Sequence, residues 1–193
     1  HAIIHTLDQL VKEYDISAWE AFTSTIEVDG YYYSCGFVQD HDGSNFSDAK
    51  GLLFKTDTNG VKQWHKLYGN DYRQYDDIVQ TIDNQLFLTG FSKEPSSSIV
   101  CTKMDTSGTV LWEKKIYTEG FDRATTAIQL PDSNIIIAGV KYDSNYVAKL
   151  DFNGNIIWET SFGVSSGIFN LIVLEDGSFV ACGEGLQSGF SKV

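Results

Sequence analysis

Short apolar runs separated by clusters of Asp, Asn, Ser and Gly follow one another along the whole chain, and they come in pairs. The stretches IEVDGYYYSCGF (26–37), TIDNQLFLTGF (81–91), QLPDSNIIIAGV (129–140) and VLEDGSFVACGE (173–184) share one plan. Each has an apolar run, a two-residue turn opened by Asp29, Asp83, Asp132 or Asp176, and a second apolar run ending in Gly. That pattern predicts a β-hairpin in each of the four places.

Between the hairpins a second block recurs. FKTDTNGVKQW (54–64), TKMDTSGTVLW (102–112) and AKLDFNGNIIW (148–158) share Lys-x-Asp-x-x-Gly-x-x-x-Trp with every spacing kept. Its members are Lys55, Asp57, Gly60 and Trp64, then Lys103, Asp105, Gly108 and Trp112, then Lys149, Asp151, Gly154 and Trp158. Joined to the hairpins, the block predicts a four-stranded antiparallel meander: strands A and B, a loop, strand C ending at the Lys, the Asp-x-x-Gly turn, and strand D with the Trp. A meander of this size cannot bury both faces alone and must stack on copies of itself. The fold class expected is therefore all-β: a β-propeller of about four blades at 16–68, 69–117, 118–163 and 164–193, forming one domain over 1–193. The fourth copy stops at Lys192 without a strand D, and TLDQLVKEYD (6–15) stands where a strand D would precede the first hairpin. Pairing of these N- and C-terminal strands would close the ring and remove its open edge.

The Lys-x-Asp-x-x-Gly-x-x-x-Trp unit resembles the blade repeat of pyrroloquinoline-quinone-type propellers and of related bacterial secreted proteins. The resemblance implies that Asp and Gly shape the C–D turn, and that Trp64, Trp112 and Trp158 dock on the adjacent blade. Its likeness to secreted proteins makes a secreted, periplasmic or cell-surface location the expectation, while the opening at His1 rather than Met reads either as a processed precursor or as a cut within a longer chain. Such propellers usually have more than four blades, and their fold serves dehydrogenases, assembly scaffolds and binding modules alike.

Charge narrows the partners. A formal net charge of −12 over 193 residues provides no basic stripe for a phosphate backbone, so nucleic acid is not an expected partner. No apolar run is long enough for a helix to span a bilayer. Cys35, Cys101 and Cys182 have no metal-ligand spacing and cannot all pair; Cys35 and Cys182 precede a strand-ending Gly and read as core.

Loop length varies in one place only. Gly36 to Lys55, Gly90 to Lys103, Gly139 to Lys149 and Gly183 to Lys192 span 19, 13, 10 and 9 positions, so the B–C loops differ while the scaffold does not. These loops share a face with the D–A connections, and variable loops on a fixed scaffold are where binding residues are placed. The longest, QDHDGSNFSDAK (39–50), brings Asp40, Asp42, Asn45 and Asp48 close together. It reads either as a solvated acidic loop or as a Ca²⁺ site lacking the bidentate Glu of a calcium loop. The D–A connections add Trp19 and Glu20; Tyr72, Arg73, Tyr75 and Asp76; and Phe121 and Arg123. Rings beside carboxylates and guanidinium groups read either as packing over the ring mouth or, where exposed, as a sugar or peptide site.

No nucleophile elbow, phosphate-binding glycine loop or metal spacing is present. The leading expectation is a non-enzymatic binding or scaffold propeller, with no cofactor beyond Ca²⁺, that presents its loop face to a glycan or a protein. The alternatives are a carbohydrate-active enzyme using paired carboxylates, and a structural fragment of a larger propeller, including half of a ring built by two chains as a homodimer. A quinone dehydrogenase is the least favoured.

Overall fold

A computed structural model describes residues 13–17, 19–39, 49–69, 72–93, 96–117, 120–164, 167–184 and 191–192. The first sheet comprises β1 (Trp19–Val28), β2 (Tyr31–Gln39), β3 (Lys50–Asp57) and β4 (Lys62–Tyr68). The second holds β5 (Arg73–Gln80), β6 (Leu86–Ser92), β7 (Ser98–Met104) and β8 (Val110–Tyr117), and the third β9 (Asp122–Gln129), β10 (Ile135–Lys141), β11 (Ser144–Leu150) and β12 (Ile156–Phe162). The fourth has β13 (Gly167–Val173), β14 (Phe179–Glu184) and the short β15 (Ser191–Lys192). Within every sheet, neighbours in sequence are neighbours in space and run antiparallel, as a meander requires.

The sheets stack in sequence order. β5 packs against both β1 and β9, and β13 packs against β9, so the first strands of the blades are the inner ones. Each gap between sheets is filled by one apolar cluster. Tyr33, Leu53 and Val28 meet Tyr75, Ile78 and Val100 between sheets 1 and 2. Phe87, Ile99 and Cys101 meet Ala127, Ile137 and Tyr146 between sheets 2 and 3, and Ile136 and Val147 meet Leu171 and Phe179 between sheets 3 and 4. Trp64, Trp112 and Trp158 each pack against one of these clusters in turn. The Trp64 ring lies 3.3 Å from where a Cβ would stand on Gly108, and the Trp112 ring 2.7 Å from the same point on Gly154, so a side chain at either glycine would push the ring away. This all-β stack is a β-propeller-like fold.

Both repeated blocks have a local physical cause. In each C–D turn one Asp oxygen accepts two backbone N–H groups: Asn59 and Val61 on Asp57, Ser107 and Thr109 on Asp105, Asn153 and Asn155 on Asp151. Gly60, Gly108 and Gly154 follow with φ of 74°, 78° and 79°, a left-handed conformation that glycine adopts without strain. The repeated Lys stands opposite the residue three positions before the strand B glycine in all four sheets: Lys55 and Tyr33, Lys103 and Phe87, Lys149 and Ile136, Lys192 and Val180. β15 is therefore strand C of the fourth sheet. From that position Lys103 reaches Asp83 at 2.9 Å and Lys149 reaches Asp132 at 2.8 Å, tying strand C to the A–B turn; Lys55 instead lies over the Tyr31 ring.

The glycine in the second half of each strand B, expected to end it, lies one to three residues before the strand's end and answers a bulge in strand A. The bulges fall between Phe22 and Ser24, between Tyr75 and Asp77, between Ala124 and Thr126, and between Ile168 and Asn170. A Cβ on Gly36, Gly90, Gly139 or Gly183 would lie 1.9, 2.1, 2.1 or 2.4 Å from the carbonyl oxygen of Ala21, Gln74, Arg123 or Gly167. No side chain fits against a carbonyl at that range.

Expected in all four A–B turns, a two-residue turn is found only at Asp29 and Gly30, whose φ values are 52° and 74°. The other three hairpins use the five-residue closure of the C–D turns, with Asn84, Ser133 and Gly177 in the left-handed position after the Asp. An Asp-Asn or Asp-Ser pair thus forms the end of a longer turn, because the strands stop at Gln80, Gln129 and Val173, earlier than their apolar runs imply. The strand expected over 6–15 lies mostly outside the described residues; of it, Glu13 to Asp15 carry no strand.

Candidate functional site

Counting back from each bulge aligns the loop-face ends of the inner strands. Trp19, Tyr72 and Phe121 each stand three residues before the first bulge residue, Phe22, Tyr75 and Ala124. Three successive sheets thus carry an aromatic side chain at one position. Phe37 and Phe91, which directly follow the strand B glycines, back these rings. Trp19 lies edge-on to Phe37 at 5.5 Å, Tyr72 edge-on to Phe91 at 5.6 Å, and Phe121 reaches across from the third sheet to Phe91 at 5.3 Å. Phe37 and Phe91 are buried, whereas Trp19 is 42% and Phe121 48% exposed. Trp19 and Phe37 thus form one ring group on sheet 1, and Tyr72, Phe91 and Phe121 a second that joins sheets 2 and 3.

Tyr142 extends the shelf. It occupies the tight turn between β10 and β11 with φ of 50°, donates its backbone N–H to Asp122, and lays its ring against Gly120, where a Cβ would meet it at 2.5 Å. At 65% exposure it is the most open ring on this face. Lys93 places its ammonium 5.5 Å from the Tyr72 ring.

Beneath the rings lies one ion pair. Arg123 donates Nε–H to Asp76 Oδ2 at 2.8 Å and Nη2–H to Oδ1, which also accepts from Gln74 Nε2 at 2.8 Å. Burial pushes the Asp76 carboxyl above its usual range, and the Arg123 hydrogen bonds oppose that push. The Arg123 side chain remains one-third exposed, so it reaches solvent at the level of the rings while its charge is compensated from below.

Tyr75 and Arg73 follow the packing reading and are not exposed site groups. β5 starts at Arg73, which points Tyr75 towards sheet 1, where it is fully buried with its ring 6.1 Å from Tyr68 and its hydroxyl 3.2 Å from that of Thr102. Arg73 is 5% exposed and forms a bidentate pair with Glu113 at 2.6 and 3.1 Å. Both belong to the wall between sheets. Glu20 is likewise engaged locally, accepting the backbone N–H groups of Ser17 at 2.9 Å and Ile16 at 3.5 Å. Asp40, Asp42, Asn45 and Asp48 lie outside the described residues. Phe37, Phe91, Lys93 and Tyr142 complete the shelf without having been singled out, although Gly-Phe recurs after strand B in the first two copies.

Two further carboxylates have internal partners. Asp77 accepts from Ser24, Ile78 and the backbone N–H of Ala127, linking three sheets, and Glu159 accepts from Lys141 and Tyr146. Among the described residues no group of three or more His, Cys, Asp or Glu side chains is placed to hold a metal, and no helix is long and apolar enough to cross a membrane. Cys35 and Cys101 are fully buried, and burial pushes both thiols up to about 12. On the opposite face a shallow, open depression of about 470 Å³ lies between Gln80, Ile82, Asn84, Gln129 and Val173. Its amides are taken up within the protein: Gln129 accepts from Ile82 and donates to Ser133, and Gln80 donates to Asn84.

Comparison with known proteins supports the fold and stops there. No protein-family model matches the chain, and no curated protein sequence does. A protein of unknown function from Bacteroides caccae has a similar structure, with a TM-score of 0.59 at 11% identity over 92% of this chain and 58% of its own. A mannose phosphorylase from Leishmania mexicana, solved with phosphate, gives a TM-score of 0.48 at 15% identity over 87% of this chain and 64% of its own. The chain thus spans less than two thirds of either protein. At 11% identity the likeness to the Bacteroides caccae protein bears on the propeller-like fold alone, and the likeness to quinone-type repeats rests on the repeat unit alone.

Proposed function

We propose that the chain is a binding or scaffold propeller whose loop face takes up a partner without transforming it, and that the partner is a neutral glycan. One observation carries this reading: Trp19, Tyr72 and Phe121 recur at one position in three sheets, backed by Phe37 and Phe91. Aromatic faces stack on the apolar faces of sugar rings, and Arg123 and Lys93 beside them can donate to hydroxyl groups. A net charge of −12 disfavours a polyanionic glycan, which narrows the class. Export to the periplasm, cell surface or medium fits such a ligand. Ca²⁺ held by Asp40, Asp42, Asn45 and Asp48 would order the loop that follows Gln39, the residue opposite Trp19.

The carbohydrate-active alternative needs two carboxylates free to act as acid and base. Asp76, Asp77, Glu113, Glu20 and Glu159 are each bound to a protein donor, which favours binding. The reading as a segment of a larger ring draws on the longer Bacteroides caccae protein, of which this chain covers 58%. A protein ligand remains the other class of partner for the same shelf.

The test is retention on a panel of insoluble neutral polysaccharides, with the W19A/F121A double variant alongside. Both side chains are about half exposed, so the variant is expected to keep the unfolding midpoint of the parent and lose retention at least tenfold. Retention unchanged in the variant would overturn the proposal.

A further inference from the structure

The outermost strands of the first three sheets are built alike and guarded differently. Among the described residues β4, β8 and β12 each pair with one neighbour and present their other edge outward, and unpaired edges recruit strands unless charge, above all Lys, blunts them. β4 carries exposed Lys62 and Lys66, and β8 carries Lys114 and Lys115. β12 reads Ile-Ile-Trp-Glu-Thr-Ser-Phe and has no cation. Its one charge, Glu159, already accepts from Lys141 at 2.8 Å, while Ile156, Ile157 and Phe162 are 43%, 51% and 37% exposed.

We infer that β12 is a self-association edge, and that its occupant is β12 of a second copy, added antiparallel across a two-fold axis. Two features favour a second copy. Most of the molecular surface belongs to a chain of net charge −12 and repels its like, whereas this edge brings no uncompensated charge to the seam. The strand is also self-complementary. With Thr160 on the two-fold, Trp158 faces Phe162 of the second copy and the reverse, Glu159 faces Ser161, and Thr160 faces Thr160. Aromatic and Thr–Thr cross-strand pairs are of the stabilising kind, and no like charges stand opposite each other. Isologous pairing of this sort closes at two chains and leaves the loop face open on both.

The test is the mass of the intact protein by light scattering across the micromolar range, with T160K, L111K and I172K. Thr160, Leu111 and Ile172 are all exposed, so each variant is expected to fold. The wild type and L111K should double in mass with concentration, and T160K should stay at one chain because two ammonium groups would meet on the axis. Amide exchange in β12 should slow as the dimer forms. A wild type that remains a single chain, or a dimer that survives T160K and is lost in I172K on the fourth sheet, overturns the inference.

Discussion

Tyr14 donates its hydroxyl proton to the carbonyl of Gly60 at 2.6 Å, one sheet before the place where Tyr68 makes the same bond to Gly108 at 2.7 Å. Tyr68 closes a strand D and locks it to the C–D turn of the next sheet. Tyr14 does the same for sheet 1, and it packs with Ile16 on Val38, Leu52 and Phe54, the face that a preceding blade would cover. The residues just before β1 thus make the contact that the end of a strand D makes, although Glu13 to Asp15 themselves carry no strand. Y14F and Y68F should each lose about 1 kcal/mol, the net worth of one partly buried hydrogen bond. Urea unfolding of the two variants checks this, and a neutral Y14F would separate it from Tyr68.

The bulge and its glycine predict a graded series. G90A and G139A drive a Cβ into a carbonyl oxygen 2.1 Å away and should cost about 3 kcal/mol, if they fold at all. G30A, at φ of 74° with nothing within 4 Å, meets only backbone strain and should cost about 1 kcal/mol. Equal losses at all three positions would refute the role given to the bulge.

The Asp76–Arg123 pair separates a supporting contact from a binding group. R123M leaves a carboxylate that is 5% exposed without its partner and should destabilise by about 3 kcal/mol. D76N in the same chain removes the orphaned charge and should recover most of that loss. A double variant as unstable as R123M would show that the arginine stem, and not the charge, holds the third sheet to the second.

Acid should loosen the hairpins first. Asp132 is held down at about 2, chiefly by its hydrogen bond from Lys149, against about 3.9 in an unfolded chain. Asp83 is also lowered, because bonds from Thr81 and Lys103 outweigh the effect of burial. A carboxyl depressed on folding contributes stability that is complete above about pH 4 and is lost as pH falls towards 2. The urea midpoint should therefore drop between about pH 4 and 2, and D132N should flatten that slope while lowering the midpoint at pH 7.

Most of the scaffold was legible because its chemistry repeats at fixed spacing. Asp57, Asp105 and Asp151 recur since each must receive two backbone N–H groups, and Gly36, Gly90, Gly139 and Gly183 recur since nothing larger fits beside the bulge. The shelf was legible only as a set of residue types. Trp64 to Tyr72 spans 8 positions and Trp112 to Phe121 spans 9, so the equivalence of Tyr72 and Phe121 is hidden until the strands are aligned on their bulges. Tyr75 and Arg73 misled for a related reason. A run of Tyr, Arg and Asp has the composition of a loop, and only the start of β5 at Arg73 places this run inside, where Arg73 to Asp76 are all buried.

The four tryptophans allow the most direct test of the binding claim. Trp64, Trp112 and Trp158 pack between sheets, whereas Trp19 stands on the shelf. In a proton–nitrogen correlation spectrum, titration with soluble oligosaccharides of a polysaccharide that retains the protein should shift the Trp19 indole resonance and leave the other three in place. Shifts confined to Trp64, Trp112 or Trp158, or none at saturating sugar, would contradict a glycan site on the loop face.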